Sequence, residues 1–150
     1  MGITYVKSNE LEAASMIPES VEVDLGLAID EAARILGIEL SVMPSGTPQA
    51  GDNRGEAVVS FDPEDTAIDY SDDEQFAILI SNVSFVGATA AAQSSQNIWL
   101  DYTGLNLITS RNLRFIVMGA VTAAKGKCRV FYEKYKPSVS DLNQLIAQRR

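Results

Sequence analysis

The sequence predicts an all-β domain, an antiparallel β-sandwich of about eight strands followed by a short C-terminal helix. Three observations carry that expectation. Apolar residues recur at every second position in several segments, Gly, Pro, Asn and Ser cluster between them, and only the last stretch shifts to helical spacing.

In chain order the first clear strand is 20–29, where Val21, Val23, Leu25, Leu27 and Ile29 share one face and small or acidic residues fill the other. Asp30 and Glu31 interrupt the alternation, and Leu36, Ile38, Leu40 and Val42 resume it until Pro44, so strand, turn, strand is expected. A helix competes over 31–36: Asp30 could cap it, Ile29, Ala32, Ala33 and Leu36 match its spacing, and Gly37 could close it. Residues 45–55 read as an exposed loop and 56–61 as a short strand. An acidic loop, 62–74, leads into a strand over 75–85 around Phe76, Ile78, Ile80, Val83 and Phe85. Residues 87–95 hold too few bulky side chains for a core strand. Extended chain resumes over 97–109, with Trp99, Tyr102 and a turn or bulge at Gly104, and 110–112 is a turn.

The clearest β unit is a predicted hairpin, 113–121 against 127–136, turning at 123–126 with Gly126 supplying backbone freedom. Cys128, Val130 and Tyr132 fall on one face of its second strand, and Pro137 stops it. Over 138–150, Val139, Leu142, Leu145 and Ile146 take helical spacing, with Ser138 or Ser140 as cap and Arg149 and Arg150 at the negative end of the helix dipole. The expected division is therefore a sandwich over 1–137 and a C-terminal amphipathic helix or arm over 138–150. So short a helix is marginal alone and should dock, on its own sandwich or on a neighbouring subunit. No fixed-period repeat suggests a propeller or solenoid.

A 150-residue chain with 46% hydrophobic and 21% charged residues buries roughly 70% of its unfolded surface, enough for one core without staples. No membrane insertion is expected from its short apolar stretches. The first residues lack a basic region followed by an apolar core, so no secretory signal is expected, and Val6 stands where a myristoylation motif needs Ser or Thr. The lone Cys128 fits synthesis in a reducing compartment and reads as a small buried hydrophobe. Charge is split along the chain: residues 1–74 carry 17 acidic and 3 basic side chains, net −14, and residues 75–150 carry 3 and 9, net +6. Such a split can pair inside one fold, or register one subunit against the next.

With no histidine, Ser-His-Asp and Cys-His catalysis and the commonest zinc ligand are excluded, and no residue cluster meets the criteria for an enzyme. The acidic loop offers Asp62, Glu64, Asp65, Asp69, Asp72 and Asp73, hard oxygen ligands of the kind Ca²⁺ takes, though without EF-hand spacing. A solvated acidic loop is the other reading. Arg111, Arg114, Lys125, Lys127, Arg129, Lys134 and Lys136, interleaved with Phe115, Phe131, Tyr132 and Tyr135, have the composition of a nucleic-acid surface, yet ion pairing with the acidic half explains them equally and the pI of about 4.4 opposes broad phosphate binding. The sequon Asn82-Val83-Ser84 lies in an expected strand.

Taken together, the eight strands, the loops 45–55 and 62–74, the terminal hairpin 113–136 and the C-terminal arm resemble viral structural proteins of the single jelly-roll type. The resemblance lies in strand pattern and involves no signature motif. It implies a self-assembling shell subunit of a virion, made in the host cytoplasm, whose partners are copies of itself and other shell proteins. The interface residues expected from that reading are Arg111, Arg114, Lys125, Lys127, Arg129, Lys134, Leu142, Leu145 and Ile146. A tail, fibre or decoration subunit fits the same features. The competing expectation is a monomeric carbohydrate-binding sandwich that uses Trp99, Tyr102 or Tyr70, with Ca²⁺ at the acidic loop.

Overall fold

Nine strands, all paired antiparallel, form two sheets in the computed structural model, which describes residues 3–47, 49–85, 96–141 and 143. In order they are β1 (Thr4–Ala13), β2 (Glu19–Val23), β3 (Ala32–Pro44), β4 (Gly51–Ser60), β5 (Gln75–Phe85), β6 (Gln96–Asp101), β7 (Leu107–Thr109), β8 (Leu113–Ala120) and β9 (Ala124–Tyr135). Sheet A runs β1-β9-β3-β6, with β7 also on β3, and sheet B runs β2-β8-β4-β5. The pairing is nested. With three-residue β7 set aside, the first strand pairs with the last, β2 with β8, β3 with β6 and β4 with β5. A long hairpin of this kind, rolled so that β3 also meets β9 and β4 meets β8, is an antiparallel jelly roll.

Period-two alternation decides what lies between the sheets. From sheet A, Ile38, Leu40, Val42, Cys128 and Val130 point inward; from sheet B, Ala57, Val59, Leu113, Phe115 and Val117 meet them. Gly126 sits on the inner side of β9, where an added Cβ would come within 2.6 Å of Val117 Cγ2. Its missing side chain lets Val117 and Phe115 close on sheet A. Cys128 is fully buried, as its composition and setting suggest.

Four expectations need correction. Strand β2 ends at Val23, because Gly26 takes φ +66, Asp24 Oδ1 accepts from the Gly26 N–H and Asn112 Oδ1 accepts from the Leu25 N–H. Ile29 is consequently 97% exposed and belongs to no strand face. The competing helix over 31–36 does not form; β3 runs through that stretch with a β-bulge between Ile35 and Gly37, which lets Ala33 and Ile35 point inward before it and Ile38 and Leu40 after it. The loop expected over 45–55 gives way to β4 from Gly51, tied by buried Asn53, whose Oδ1 accepts from Gln49 N and whose Nδ2 donates to Gln49 O at 2.7 Å.

The fourth correction concerns the terminal hairpin. Strands β8 and β9 lie in different sheets and do not pair with each other. The chain crosses between sheets through 121–123, where Val121 takes φ +70, a conformation costly for a β-branched residue, while Gly126 lies within β9 rather than at the turn. Strand β1, for which the sequence analysis has no expectation, forms one edge of sheet A. At the C-terminus a helical segment starts at Val139, and Ser138 Oγ accepts from the Asp141 N–H as a cap.

Candidate functional site

The predicted basic residues do not form one patch. Lys125, Lys127 and Arg129 alternate outward along β9, in the middle of sheet A, and face carboxylates of the same molecule. Glu12 is opposite Lys125, Glu10 is opposite Lys127, and Glu39 Oε2 lies 4.0 Å from Arg129 Nη1. On sheet B, Arg114 donates from Nε and Nη2 to Ser20 Oγ (3.1 and 2.9 Å) and from Nη1 to Pro63 O. Arg111 lies 4.0 Å from Glu74, and Lys134 donates to Gly26 O while resting over the Tyr5 ring. The split of charge along the sequence thus becomes interleaving in space, because β1, β2 and β3 flank β9 and β8. Leu142, Leu145 and Ile146 lie outside the described residues.

In the acidic loop the carboxylates make turns instead of converging. Asp62 Oδ1 accepts from Glu64 N, Asp72 Oδ1 from Glu74 N, and Asp69 Oδ1 from Ser71 N and Oγ. Those two Ser71 bonds hold the Asp69 carboxyl below its ordinary range. Asp65 accepts from buried Gln75 Nε2, which also donates to Ala67 O, while Glu64 and Asp73 are exposed. Among the described residues no group of three or more Asp, Glu, Cys or His side chains is placed to hold a metal ion. The loop closes on Phe61 N–H to Glu74 O and folds back on sheet B, where Arg114 reaches Pro63 and Tyr70 lies against Glu56. Burial, and then the hydrogen bond to Glu56, push the Tyr70 phenol above its ordinary range.

Sequence reasoning missed the outer face of sheet B. A solvated face should be polar at every second residue. Here Ile116, Val58 and Ile78 stand in one cross-strand row, and Met118, Glu56 and Ile80 in the next. Val58, Ile116 and Glu56 (2% exposed) are buried, yet Ile78 and Ile80 on edge strand β5 remain 37% and 45% exposed. The signal was present in β8 itself, Leu113-Arg114-Phe115-Ile116-Val117-Met118, which is apolar on both faces apart from Arg114. A second apolar group lies at the end of the sandwich, where Met16 donates to Gly119 O beside Val121 and leaves Met16, Ile17 and Val121 exposed.

The three aromatic candidates separate. Tyr102 is half-buried, its ring edge-on to Phe76 and its hydroxyl donating to Phe76 O, and burial raises its phenol. Tyr70 serves the loop. Trp99 is 52% exposed on the outer face of sheet A, edge-on to Phe131 and seated over Gly37. Further along the same face an open cavity of about 260 Å³ is lined by Glu10, Lys125 and Lys127 on one side and Ser41, Met43 and Asn97 on the other.

Fold and surfaces together define an antiparallel jelly-roll sandwich whose sheet B leaves Ile78 and Ile80 exposed at its edge strand and whose sheet A leaves Trp99 exposed on its outer face. Compared with protein-family models and with curated proteins, the chain matches none. Among the described residues no helix is long and apolar enough to cross a membrane.

Proposed function

We propose that this chain is a self-assembling structural protein without catalytic activity, a capsid or shell subunit of a virion, made in the host cytoplasm. Its partners are copies of itself and other shell proteins. The observation that carries the reading is the pair Ile78 and Ile80, exposed on edge strand β5 of sheet B beside buried Val58 and Ile116. A neighbouring subunit covering that face removes from water side chains worth roughly 1.5–3 kcal/mol each when fully buried. Jelly rolls serve as shell subunits and as lectin domains alike, so the fold supports the reading without carrying it. The cationic strand β9 contributes less than its composition suggests, since its partners are Glu10, Glu12 and Glu39 of the same molecule.

Light scattering with negative-stain imaging tests the reading. The purified chain should form multi-subunit particles, and the double variant Ile78→Asp, Ile80→Asp should remain folded by circular dichroism while shifting to monomer. A wild-type chain that stays monomeric at every concentration overturns the proposal.

A further inference from the structure

The outer face of sheet A is built differently from that of sheet B, and its centre has the composition of a binding site. Gly37 on β3 has no side chain, and a Cβ there would come 2.3 Å from Trp99 Cη2 and 2.4 Å from Cζ2. The indole therefore rests on the backbone of β3, braced edge-on by Phe131 with ring centroids 5.1 Å apart, and leaves half its surface open. Two residues back on the same side of β6, about 7 Å along the strand, Asn97 lines the cavity. Asn97 is paired with Ser41, Ser41 with Lys127, and Lys127 with Glu10, so donors and acceptors share one row across four strands.

We propose that this surface binds a neutral oligosaccharide, with one pyranose ring stacked on Trp99 and the hydroxyls of the units beyond it hydrogen-bonded by Asn97, Ser41, Lys127 and Glu10. A pyranose presents a C–H face that packs on an aromatic ring, and hydroxyls that both donate and accept. The row meets both needs: Lys127 donates, Glu10 accepts, and Ser41 and Asn97 do either. Charge argues for neutrality in the ligand. The cations of β9 face carboxylates on both flanks, Glu10 and Glu12 on β1 and Glu39 on β3, so a phosphate or carboxylate approaching Lys127 or Arg129 meets a counter-charge already in place. That arrangement disfavours a single-stranded nucleic acid, which would also stack on an exposed tryptophan. The inference goes beyond the assembly reading and does not rest on it, since Ile78 and Ile80, assigned to subunit contact, lie on the opposite sheet.

Trp99 is the single tryptophan of the chain, so its fluorescence reports this site alone. The full chain is titrated with neutral tetrasaccharides of glucose (α- and β-linked), mannose, galactose, xylose and N-acetylglucosamine, and separately with an oligothymidylate. At least one tetrasaccharide should shift or quench the emission saturably below about 10 mM, tenfold above a millimolar Kd, and the oligothymidylate should not. Gly37→Ala, which unseats the indole without removing it, and Lys127→Gln should each weaken that saccharide at least about tenfold, a change of about 1.4 kcal/mol. Circular dichroism checks that each variant folds, and either one alone suffices for the test. No response to any tetrasaccharide, a response to the oligothymidylate instead, or undiminished affinity in a folded variant overturns the proposal.

Discussion

The phenol of Tyr132 on β9 donates to the carbonyl oxygen of Leu25, 107 residues earlier, at 2.8 Å in a buried setting. It ties sheet A to the segment by which the chain leaves sheet B after β2. Tyr132→Phe keeps the ring, removes the donor and leaves the Leu25 carbonyl buried without that partner, so a loss of about 1–3 kcal/mol is expected. Urea unfolding checks it: the midpoint should fall while the m-value stays constant. An unchanged midpoint would mean that water replaces the bond.

Two glycines should respond differently. At Gly126 an added methyl meets Val117 Cγ2 at 2.6 Å between the sheets, so Gly126→Ala should cost about 1–3 kcal/mol. Gly104 has nothing within 4 Å of its notional Cβ, and Gly104→Ala should stay within about 0.5 kcal/mol of wild type. Combining Gly126→Ala with Val117→Ala should recover part of the first loss, because the two share one space. Additive losses in thermal melts would contradict that packing.

Burial pushes the Cys128 thiol from its ordinary 9.0 up to about 12. Folded protein at pH about 8 should therefore resist maleimide labelling, and labelling should track unfolding. Since the folded pKa is raised, the thiol's contribution to stability is fully present below about 9 and is lost as pH rises from there towards about 12. Wild type should lose stability with pH over that window more steeply than Cys128→Ala, as measured by paired urea titrations. Parallel curves would rule the contribution out.

Assembly through the sheet B face should tolerate salt. At about 1 M salt the Debye length is about 3 Å, which screens exposed charges and leaves apolar contact intact. Particles should persist there. Dissociation on raising salt would show that charges between subunits, rather than Ile78 and Ile80, hold them together.

Alternation in segments such as Ile38-Glu39-Leu40-Ser41-Val42 made the class of fold legible, because period two is a local property of an extended backbone. The acidic loop was legible too, since Asp followed closely by Ser, Glu or Pro makes turns wherever it stands. Strand β1 was harder, because Thr4 to Glu12 is exposed on nearly every side and its alternation carries little apolar contrast.

Partner choice lay beyond the sequence. Leu113–Ala120 and Ala124–Tyr135, joined by three residues, read locally as a hairpin, and nothing in that stretch states that β8 belongs with β2 and β4 while β9 belongs with β1 and β3. The same long-range pairing turned a chain-wise split of charge into the Glu10–Lys127 and Glu12–Lys125 neighbours, and set Trp99 over Gly37. Local spacing by itself determined which residues extend and which side chains share a face. Only the tertiary structure decided which faces meet, because that choice depends on burying Phe115, Val117, Leu40 and Val130 together, and these come from three strands, of which β3 lies far from β8 and β9 in the chain.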